Sequence, residues 1–247
     1  MATTLIRGFG YSDEVKAQVD AVHSALRVSI RPMEYAGQGG SYNLFAQSGT
    51  IAAGAAAASI FFEMRWAVPN MVALIKLIKL SAYNVTTAFA AGATLFDAVR
   101  LSQFTAIDAT GATALTIKGR DQARATNFQP SMLQTALGFG GISISNTAAM
   151  TAGTKTADSN AFAGIQGNTG GATPAIGDPL VGTAAISGAG SRVGLPAILW
   201  DATQPGRFPQ RLDMNEGIAL RATVPATGTW IASVEIDWEE VMKTVYV

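Results

Sequence analysis

Few side chains in this sequence have the types and the spacing that catalysis requires. His23 is the only histidine, its nearest polar neighbours are Asp20 and Ser24, and the chain contains no cysteine. A Ser-His-Asp triad or a zinc site would therefore have to use His23, with no second histidine to complete a ligand set. We interpret His23 as a surface or interface residue on the flank of a helix, without a catalytic or metal-binding role.

Three carboxylates, Glu235, Asp237 and Glu239, are spaced two residues apart near the C-terminus. On a strand this spacing places them on one face. Carboxylates serve glycoside hydrolysis and the binding of hard metal ions. Glycoside hydrolysis needs two carboxyl groups that face each other across a cleft, and one strand supplies only one wall. We therefore predict that this face contacts solvent or another subunit.

Trp200 and Asp201, within ILWDATQPGRF, form the best local candidate for a ligand site. An exposed aromatic ring beside an acidic residue is the sign of a carbohydrate-binding surface, whereas a buried Trp200 would anchor a loop to the core. The glycine-containing turns at 8–10 and 138–141 lack the spacing of phosphate-binding loops. The sequence thus predicts no catalytic residue, no metal site, no cofactor and no small-molecule substrate.

The overall composition excludes several classes of partner. Hydrophobic residues make up 49% of the chain, and 17 basic residues balance 17 acidic ones, so no broad field attracts nucleic acid. The most apolar stretch, 66–80, contains Pro69-Asn70 and two lysines and is shorter than the roughly 20 apolar residues of a spanning helix. We expect no membrane partner. Acidic residues follow the start before any apolar signal region, so we expect synthesis in the cytoplasm.

The elements that must carry these residues begin with a predicted amphipathic helix over 12–27, within an N-terminal arm over 1–32. Ser12 or Asp13 can cap this helix. A free helix of this length is marginal in water, so it must dock on its own domain or on a neighbour. Four apolar residues at helical spacing form the predicted interface: Val15, Val19, Val22 and Leu26.

After the arm, the period changes to that of strands. Residues 59–66 (SIFFEMRW) alternate, which predicts that Phe62, Met64 and Trp66 point inward and that Glu63 and Arg65 point outward. Residues 72–80 follow a Pro-Asn turn, and the two segments together predict a hairpin. The Gly/Ala-rich tract 146–192 predicts long loops, which contacts with other chains would order.

The most regular pattern lies near the C-terminus, where 218–224 and 230–238 are both apolar at even numbers. We predict a hairpin across the loop PATGT, with Val224 opposite Trp230 and with Arg221 diagonal to Glu235. Its apolar face must pack on a second sheet. The predicted core residues are Ile218, Leu220, Val224, Trp230, Val234, Ile236 and Trp238.

Together these patterns predict an all-β fold. Short strands with turns between them, and little helix, are typical of β-sandwiches, including jelly rolls. We predict a single β-sandwich domain over 33–247, jelly-roll-like, with long ordered loops over 146–192 and the short N-terminal helical arm.

The segment PQRLDMNEGIALRATVPATGTWIASVEIDWEEV (209–241) resembles the C-terminal region of a group of tailed-bacteriophage virion proteins. In that group an NEG turn leads into a similar strand and loop and then into an acidic last strand that bears tryptophan. The N-terminal ALRVSIRPMEY (25–35) is similar to the same group. The resembling segments cover about a quarter of the chain, and their motifs are structural, so no catalytic residue is carried over.

The resemblance implies a non-enzymatic structural subunit of the virion, most specifically a capsid decoration (cement) protein. Such a protein binds the major capsid protein and itself, as a homo-oligomer with cyclic symmetry such as threefold, and gains affinity from repeated contacts. Two alternatives stay open. One is a tail or head-fibre structural protein, and the other is a carbohydrate-binding β-sandwich module.

Overall fold

The structure is a computed structural model that describes residues 19–20, 25–26, 40–52, 58–115, 126, 141–169, 176–177, 179–181 and 196–243. Within these residues the chain is all-β and contains no helix. In the same residues no helix is long and apolar enough to cross a membrane.

Sixteen strands are described, numbered in chain order. Their bounds are β1 Val19–Asp20, β2 Ala25–Leu26, β3 Gly40–Gln47, β4 Ile51–Ala52, β5 Ser59–Trp66, β6 Met71–Asn84, β7 Ala93–Ala106, β8 Ala112–Ala114, β9 Gly141–Ser145, β10 Thr154–Ala157, β11 Ala163–Thr169, β12 Pro179–Val181, β13 Ala197–Asp201, β14 Gln210–Leu212, β15 Glu216–Thr223 and β16 Thr229–Met242.

Most of these strands belong to two antiparallel sheets. Sheet I has the order β10-β7-β15-β5-β9-β8, and β11 also pairs with β7. Sheet II has the order β12-β6-β16-β3, with β13 and β14 paired along β6 and β4 paired with β16. The long strands β6 and β16 pair from end to end and form the centre of sheet II.

Apolar side chains from both sheets form one buried core. Phe61 and Phe96 of sheet I meet Trp230 of sheet II edge to face, with ring centroids 5.6 and 5.7 Å from the tryptophan ring. Such edge-to-face contacts add about 0.5–1.5 kcal/mol per pair to the apolar burial. The core therefore joins the two sheets directly.

The C-terminal segments lie in different sheets, so the predicted hairpin between them is wrong. β15 pairs with β5 and β7, whereas β16 pairs with β3, β4 and β6. The loop 224–228 crosses from one sheet to the other. The seven residues predicted for the core, Ile218, Leu220, Val224, Trp230, Val234, Ile236 and Trp238, are all buried.

This correction has a simple physical reason. Alternation determines which face of a strand is apolar, but it does not determine which strand is the neighbour. Two strands with the same alternation can share one face of one sheet, or they can oppose each other across a core.

In the loop 224–228, Gly228 has a φ of 109°, and a Cβ there would lie 2.7 Å from the Phe89 ring.

The hairpin predicted for 59–66 and 72–80 is wrong for the same reason. β5 belongs to sheet I and β6 to sheet II, with residues 67–70 crossing between them. The Trp66 indole Nε1 donates a hydrogen bond to the Met71 carbonyl at 3.0 Å, inside the core. The structure thus contains two such crossings where sequence predicted two hairpins.

The predicted N-terminal helix is not confirmed. Of its residues, only 19–20 and 25–26 are described, and they pair as a short antiparallel ladder in which Val19 is opposite Leu26. Three of the four residues of the predicted apolar stripe are valines, which favour strands over helices. Val15, Val22 and His23 lie outside the described residues, as does any contact of this arm.

The Gly/Ala-rich tract is not loop throughout. Three strands, β10, β11 and β12, lie within 146–192, and the first two extend sheet I beside β7. Small side chains leave the backbone free to pair wherever an edge strand offers hydrogen bonds. Residues 170–175, 178 and 182–192 of the tract lie outside the described part of the chain.

Candidate functional site

The most unusual group of side chains lies on the side of sheet I that faces away from the core. Glu63 on β5, Lys155 on β10 and Asp108 just after β7 come together there, although they are far apart in sequence. The side chains of Glu63, Asp108 and Lys155 are 0%, 3% and 9% exposed. Charged residues are rarely so buried unless they are paired. We call these three residues the buried charge cluster.

Short contacts hold the buried charge cluster together. Lys155 Nζ lies 2.5 Å from Asp108 Oδ1 and 2.8 Å from Glu63 Oε2. The Asp108 backbone N–H donates to Glu63 Oε1 at 2.7 Å, and the Gly153 N–H donates to Asp108 Oδ1 at 2.7 Å. The lysine thus bridges two carboxylates that the backbone already positions.

Apolar side chains cover the cluster. The Phe104 ring centroid lies 5.4 Å from Lys155 Nζ, within the range of a cation–π interaction. A second hydrophobic cluster, separate from the main core, surrounds it: Val99, Leu101, Phe104, Ile107 and Ala219, with the partly buried Ile60. The central strands β5 and β9 of sheet I are therefore buried on both faces.

An irregularity in strand pairing places the lysine. Thr154 pairs with Ala106 and Thr156 with Ser102, so Lys155 stands opposite the longer stretch 103–105 of β7. Gln103 within that stretch has a φ of 50°, a left-handed conformation that is uncommon for a side-chain-bearing residue. Bulges of this kind re-aim side chains beside functional sites.

The electrostatics of the cluster are dominated by Glu63. Burial raises the pKa of the Glu63 carboxyl, the positive charge of Lys155 lowers it, and the negative charge of Asp108 raises it again. The net direction is upward. Two carboxylates and one ammonium leave an unbalanced negative charge in an apolar site, which is why burial and Asp108 together outweigh the lowering effect of Lys155.

Glu63 and Arg65 were predicted to point outward from the strand. They do lie on the side of β5 that faces away from the main core, but that side is buried as well, so the expected exposure is wrong. The Arg65 Nε donates to the Phe104 carbonyl at 2.6 Å and Nη2 donates to Asn215 Oδ1 at 3.1 Å. Burial lowers the pKa of the Arg65 guanidinium from its usual value. The arginine therefore fixes the covering segment of β7 onto the sheet.

The predicted carboxylates of β16 lie on the side of sheet II that faces away from the core. Glu235 pairs with Lys79 at 3.1 Å and Glu239 pairs with Lys76. Asp237 accepts a hydrogen bond from the Asn43 amide. These partly exposed pairs form a ladder across neighbouring strands, which we call the outer ladder.

Arg221 and Glu235 do not form the predicted diagonal pair, because their strands belong to different sheets. Arg221 instead makes two hydrogen bonds to Asp97 on the adjacent β7, at 2.8 and 2.7 Å.

The outer ladder ends in exposed apolar residues. Phe45 is opposite Glu235, Glu235 is opposite Lys79, and Lys79 is opposite Ile198. Directly paired residues point to the same side of a sheet, so these four form one row. Phe45 is 68% and Ile198 is 56% exposed, which is unusual for large apolar side chains on a sheet.

Trp200 and Asp201 lie at the end of β13, beside an open depression of about 430 Å³ lined by Ile198, Asp201, Gln204, Pro205 and Arg207. The Trp200 ring is partly buried, packs edge-on against Phe162 and is covered by the Arg207 guanidinium at 5.2 Å. Asp201 accepts hydrogen bonds from Thr203 and Gln204, which lower its pKa. Both residues thus hold the loop that follows the strand.

Another buried carboxylate, Glu240, accepts hydrogen bonds from the Trp238 indole Nε1 at 3.3 Å and from the Thr126 hydroxyl. Within the described ranges, no group of three His, Asp or Glu side chains is arranged to hold a metal ion.

The sequence analysis missed the buried charge cluster. Asp108 and Lys155 sit in Gly-, Ala- and Thr-rich segments that predict loops, and no local spacing links them to Glu63. One partial signal was available, because Ile60, Phe61 and Phe62 are three consecutive apolar residues, which is more typical of a strand buried on both faces than of one that alternates. A charge within such a strand must have a buried partner.

Comparison with known proteins gives no further assignment: no family model, no curated protein and no solved structure matches the chain.

Proposed function

We propose that the protein is a non-enzymatic β-sandwich subunit of a bacteriophage virion, most specifically a capsid decoration protein with a jelly-roll-like topology. It binds the major capsid protein and further copies of itself, and it stabilises the shell through repeated contacts. The resemblance of 209–241 to virion proteins supports the biological setting, and two antiparallel sheets with a shared core support the architecture.

The single observation that carries this proposal is the outer side of sheet II. Phe45 and Ile198 present large apolar side chains at the two ends of the row, and the charges between them, Glu235 and Lys79, are already paired. A strand face with exposed apolar side chains and locally neutralised charge is suited to a protein partner.

The polar groups of sheet I agree with a role that needs no open active site. The buried charge cluster is closed to solvent by the apolar side chains around it, with Glu63 fully buried. A substrate of ordinary size would have to displace that cover. The cluster therefore contributes to the folded structure of the protein, while the outer side of sheet II contacts its partner.

The experiment that tests this proposal is binding to capsid shells of the encoding phage that have been prepared without this protein. We expect the purified protein to co-sediment with the shells. The variant Phe45→Ser should bind at least about tenfold more weakly, because Phe45 is the most exposed large apolar side chain of the row and a few such anchors supply most of the binding free energy of an interface.

Gln47→Ser provides the matched control. Gln47 is exposed on the same strand, and this substitution replaces one polar side chain with another. Equal binding of both variants would remove Phe45 from the interface. A protein that stays monomeric by light scattering and leaves the shells unbound would contradict the proposed function.

A carbohydrate-binding module is the second candidate, and the depression beside Asp201 is the observation that favours it. Trp200 cannot offer a free stacking face there without moving Arg207. Binding to a glycan array would favour this candidate if the variant Arg207→Ala changes the signal. An array without any signal would exclude it for the glycans tested. Location of the chain in intact particles would separate the shell from a tail or head fibre.

A further inference from the structure

We propose that the buried charge cluster is the site of an intramolecular isopeptide bond, an amide between Lys155 Nζ and the side-chain carboxyl carbon of Asp108, with Glu63 as the proton-transferring residue. This inference stands apart from the proposed function. It rests on three buried side chains whose reacting groups are already in contact.

The fold holds the two reacting groups in proximity. Lys155 Nζ lies 2.5 Å from Asp108 Oδ1, yet neither of its carboxylate contacts has the angles of a directed hydrogen bond. Reaction between two bound groups needs the atoms to be held about 3–3.5 Å apart, and such positioning replaces much of the entropic barrier. The fold holds the nucleophile and the electrophile together.

Amide formation between Lys155 and Asp108 balances without any co-reactant. A proton passes from the Lys155 ammonium to the Asp108 carboxylate, leaving a neutral amine and a carboxylic acid. The amine lone pair then forms the N–C bond to the Asp108 carboxyl carbon. Glu63 takes the second proton from Nζ and delivers it to the hydroxyl oxygen of the tetrahedral intermediate, which leaves as water. The ammonium and the carboxylate are thus converted to one amide and one water, and Glu63 is regenerated.

The two oxygens of Asp108 have different surroundings that match this sequence of steps. Oδ1 lies 2.5 Å from Nζ, so it receives the first proton and becomes the hydroxyl oxygen that leaves as water. The Gly153 N–H donates to Oδ1 at 2.7 Å and fixes its position. Oδ2 is buried and accepts no hydrogen bond within the described residues, and it remains as the carbonyl oxygen of the amide. Glu63 Oε1 is held by the Asp108 N–H, which leaves Oε2 directed at Nζ, 2.8 Å away.

The environment favours the amide over the ion pair. An apolar site penalises two charges and a neutral amide removes both. Burial raises the pKa of Glu63, which suits a group that must both accept and donate a proton. The cover provided by Phe104 and its apolar neighbours limits the access of water that hydrolysis would need.

The test begins with the intact mass of the full-length protein, which requires no substitution. We expect a mass lower than that of the sequence by one water molecule. Tandem mass spectrometry after proteolysis should then find one branched peptide that joins the residues around 108 to those around 155. A mass equal to that of the unmodified chain would overturn the proposal.

Three variants assign the roles. Lys155→Arg keeps the positive charge but lacks the amine, and Asp108→Ala removes the electrophile, so both should show the full unmodified mass. Glu63→Gln retains both bonding residues and should also stay unmodified, or form the bond at least about a hundredfold more slowly. Asp158→Ala, on an exposed aspartate near β10, is the control and should still lose one water.

Asp108→Asn gives a further readout that a merely structural cluster would not produce. Its amide can react with the same amine, and the product is the same crosslinked chain with ammonia as the leaving group. We expect the crosslinked mass of this variant to equal that of the crosslinked parent protein. A branched peptide linking Lys155 to Glu63 instead of Asp108 would overturn the assignment of the two carboxyl groups.

Discussion

The two sheets carry the same types of charged residue in opposite surroundings. The buried charge cluster of sheet I holds Glu63, Asp108 and Lys155 beneath an apolar cover. The outer ladder of sheet II holds Glu235 with Lys79, and Glu239 with Lys76, at side chains that are about one quarter to one third exposed. The ion-pair distances in the buried charge cluster and in the outer ladder are similar, but the exposed fractions of their side chains differ.

The difference in burial determines what each group contributes. Exposed ion pairs are screened by water and salt and contribute at most about 1 kcal/mol. A buried charge that loses its partner costs several kcal/mol, because it has no access to water. We therefore expect sheet I to be sensitive to any change in its charges and sheet II to tolerate such changes, and four predictions test this contrast.

The largest effect is expected for Lys155→Met, which leaves two carboxylates buried without their cation. We expect the free energy of unfolding to fall by about 3–5 kcal/mol, measured by urea denaturation. If the Lys155–Asp108 amide has formed in the parent protein, its loss adds to this decrease. Lys79→Met is the matched control on sheet II and should cost less than about 1 kcal/mol. If both substitutions lowered the free energy of unfolding by the same amount, the proposed difference between buried charges in sheet I and exposed charges in sheet II would be contradicted.

The next effect concerns the cover of sheet I. A Cβ at Gly217 would lie 2.2 Å from the Met64 carbonyl oxygen and 2.6 Å from the Phe104 ring, so Gly217→Ala must displace one of them. We expect a loss of about 1–3 kcal/mol in unfolding free energy, as for other overpacked positions. Thermal unfolding followed by circular dichroism measures it, with Ala219→Gly as a cavity-forming comparison on the same strand. An unchanged melting temperature would show that Phe104 does not pack closely on the sheet.

A smaller effect is expected from pH. Burial holds the pKa of Glu63 above its usual value of 4.5, so the folded protein binds this proton more tightly than the unfolded chain does. Stability from this group is fully present below about pH 4.5 and is lost as the pH rises through the raised pKa. Urea titrations of the parent protein and Glu63→Gln should therefore diverge in their pH dependence above that point. Parallel curves would contradict a raised pKa.

The smallest effect is expected on sheet II. Glu235→Gln removes the partner of Lys79 and should lower the unfolding free energy by less than about 1 kcal/mol at low salt. That difference should shrink further at high salt because the pair is partly exposed and therefore screened. A loss that is large and independent of salt would mean that this side of the sheet is covered in the folded protein.

The sequence predicted some features of the candidate sites and missed others. The even-numbered residues of 218–224 and 230–238 were predicted to be apolar and inward, and the structure buries all seven that were named. The carboxylates of β16 were predicted on the opposite face, where the outer ladder lies. The pairing of these strands and the exposure of Glu63 were predicted wrongly. The N-terminal helix was not confirmed.

The physical reason for this division is the range of the interactions. Alternation and turn residues act over a few positions, so the sequence by itself determined that the described part of the chain is all-β and which faces of its last two strands are apolar. Which strands become neighbours, and that Lys155 meets Asp108 and Glu63, depend on contacts between distant segments. Only the tertiary structure decided these features, because the second apolar cover over sheet I exists only when the strands have assembled.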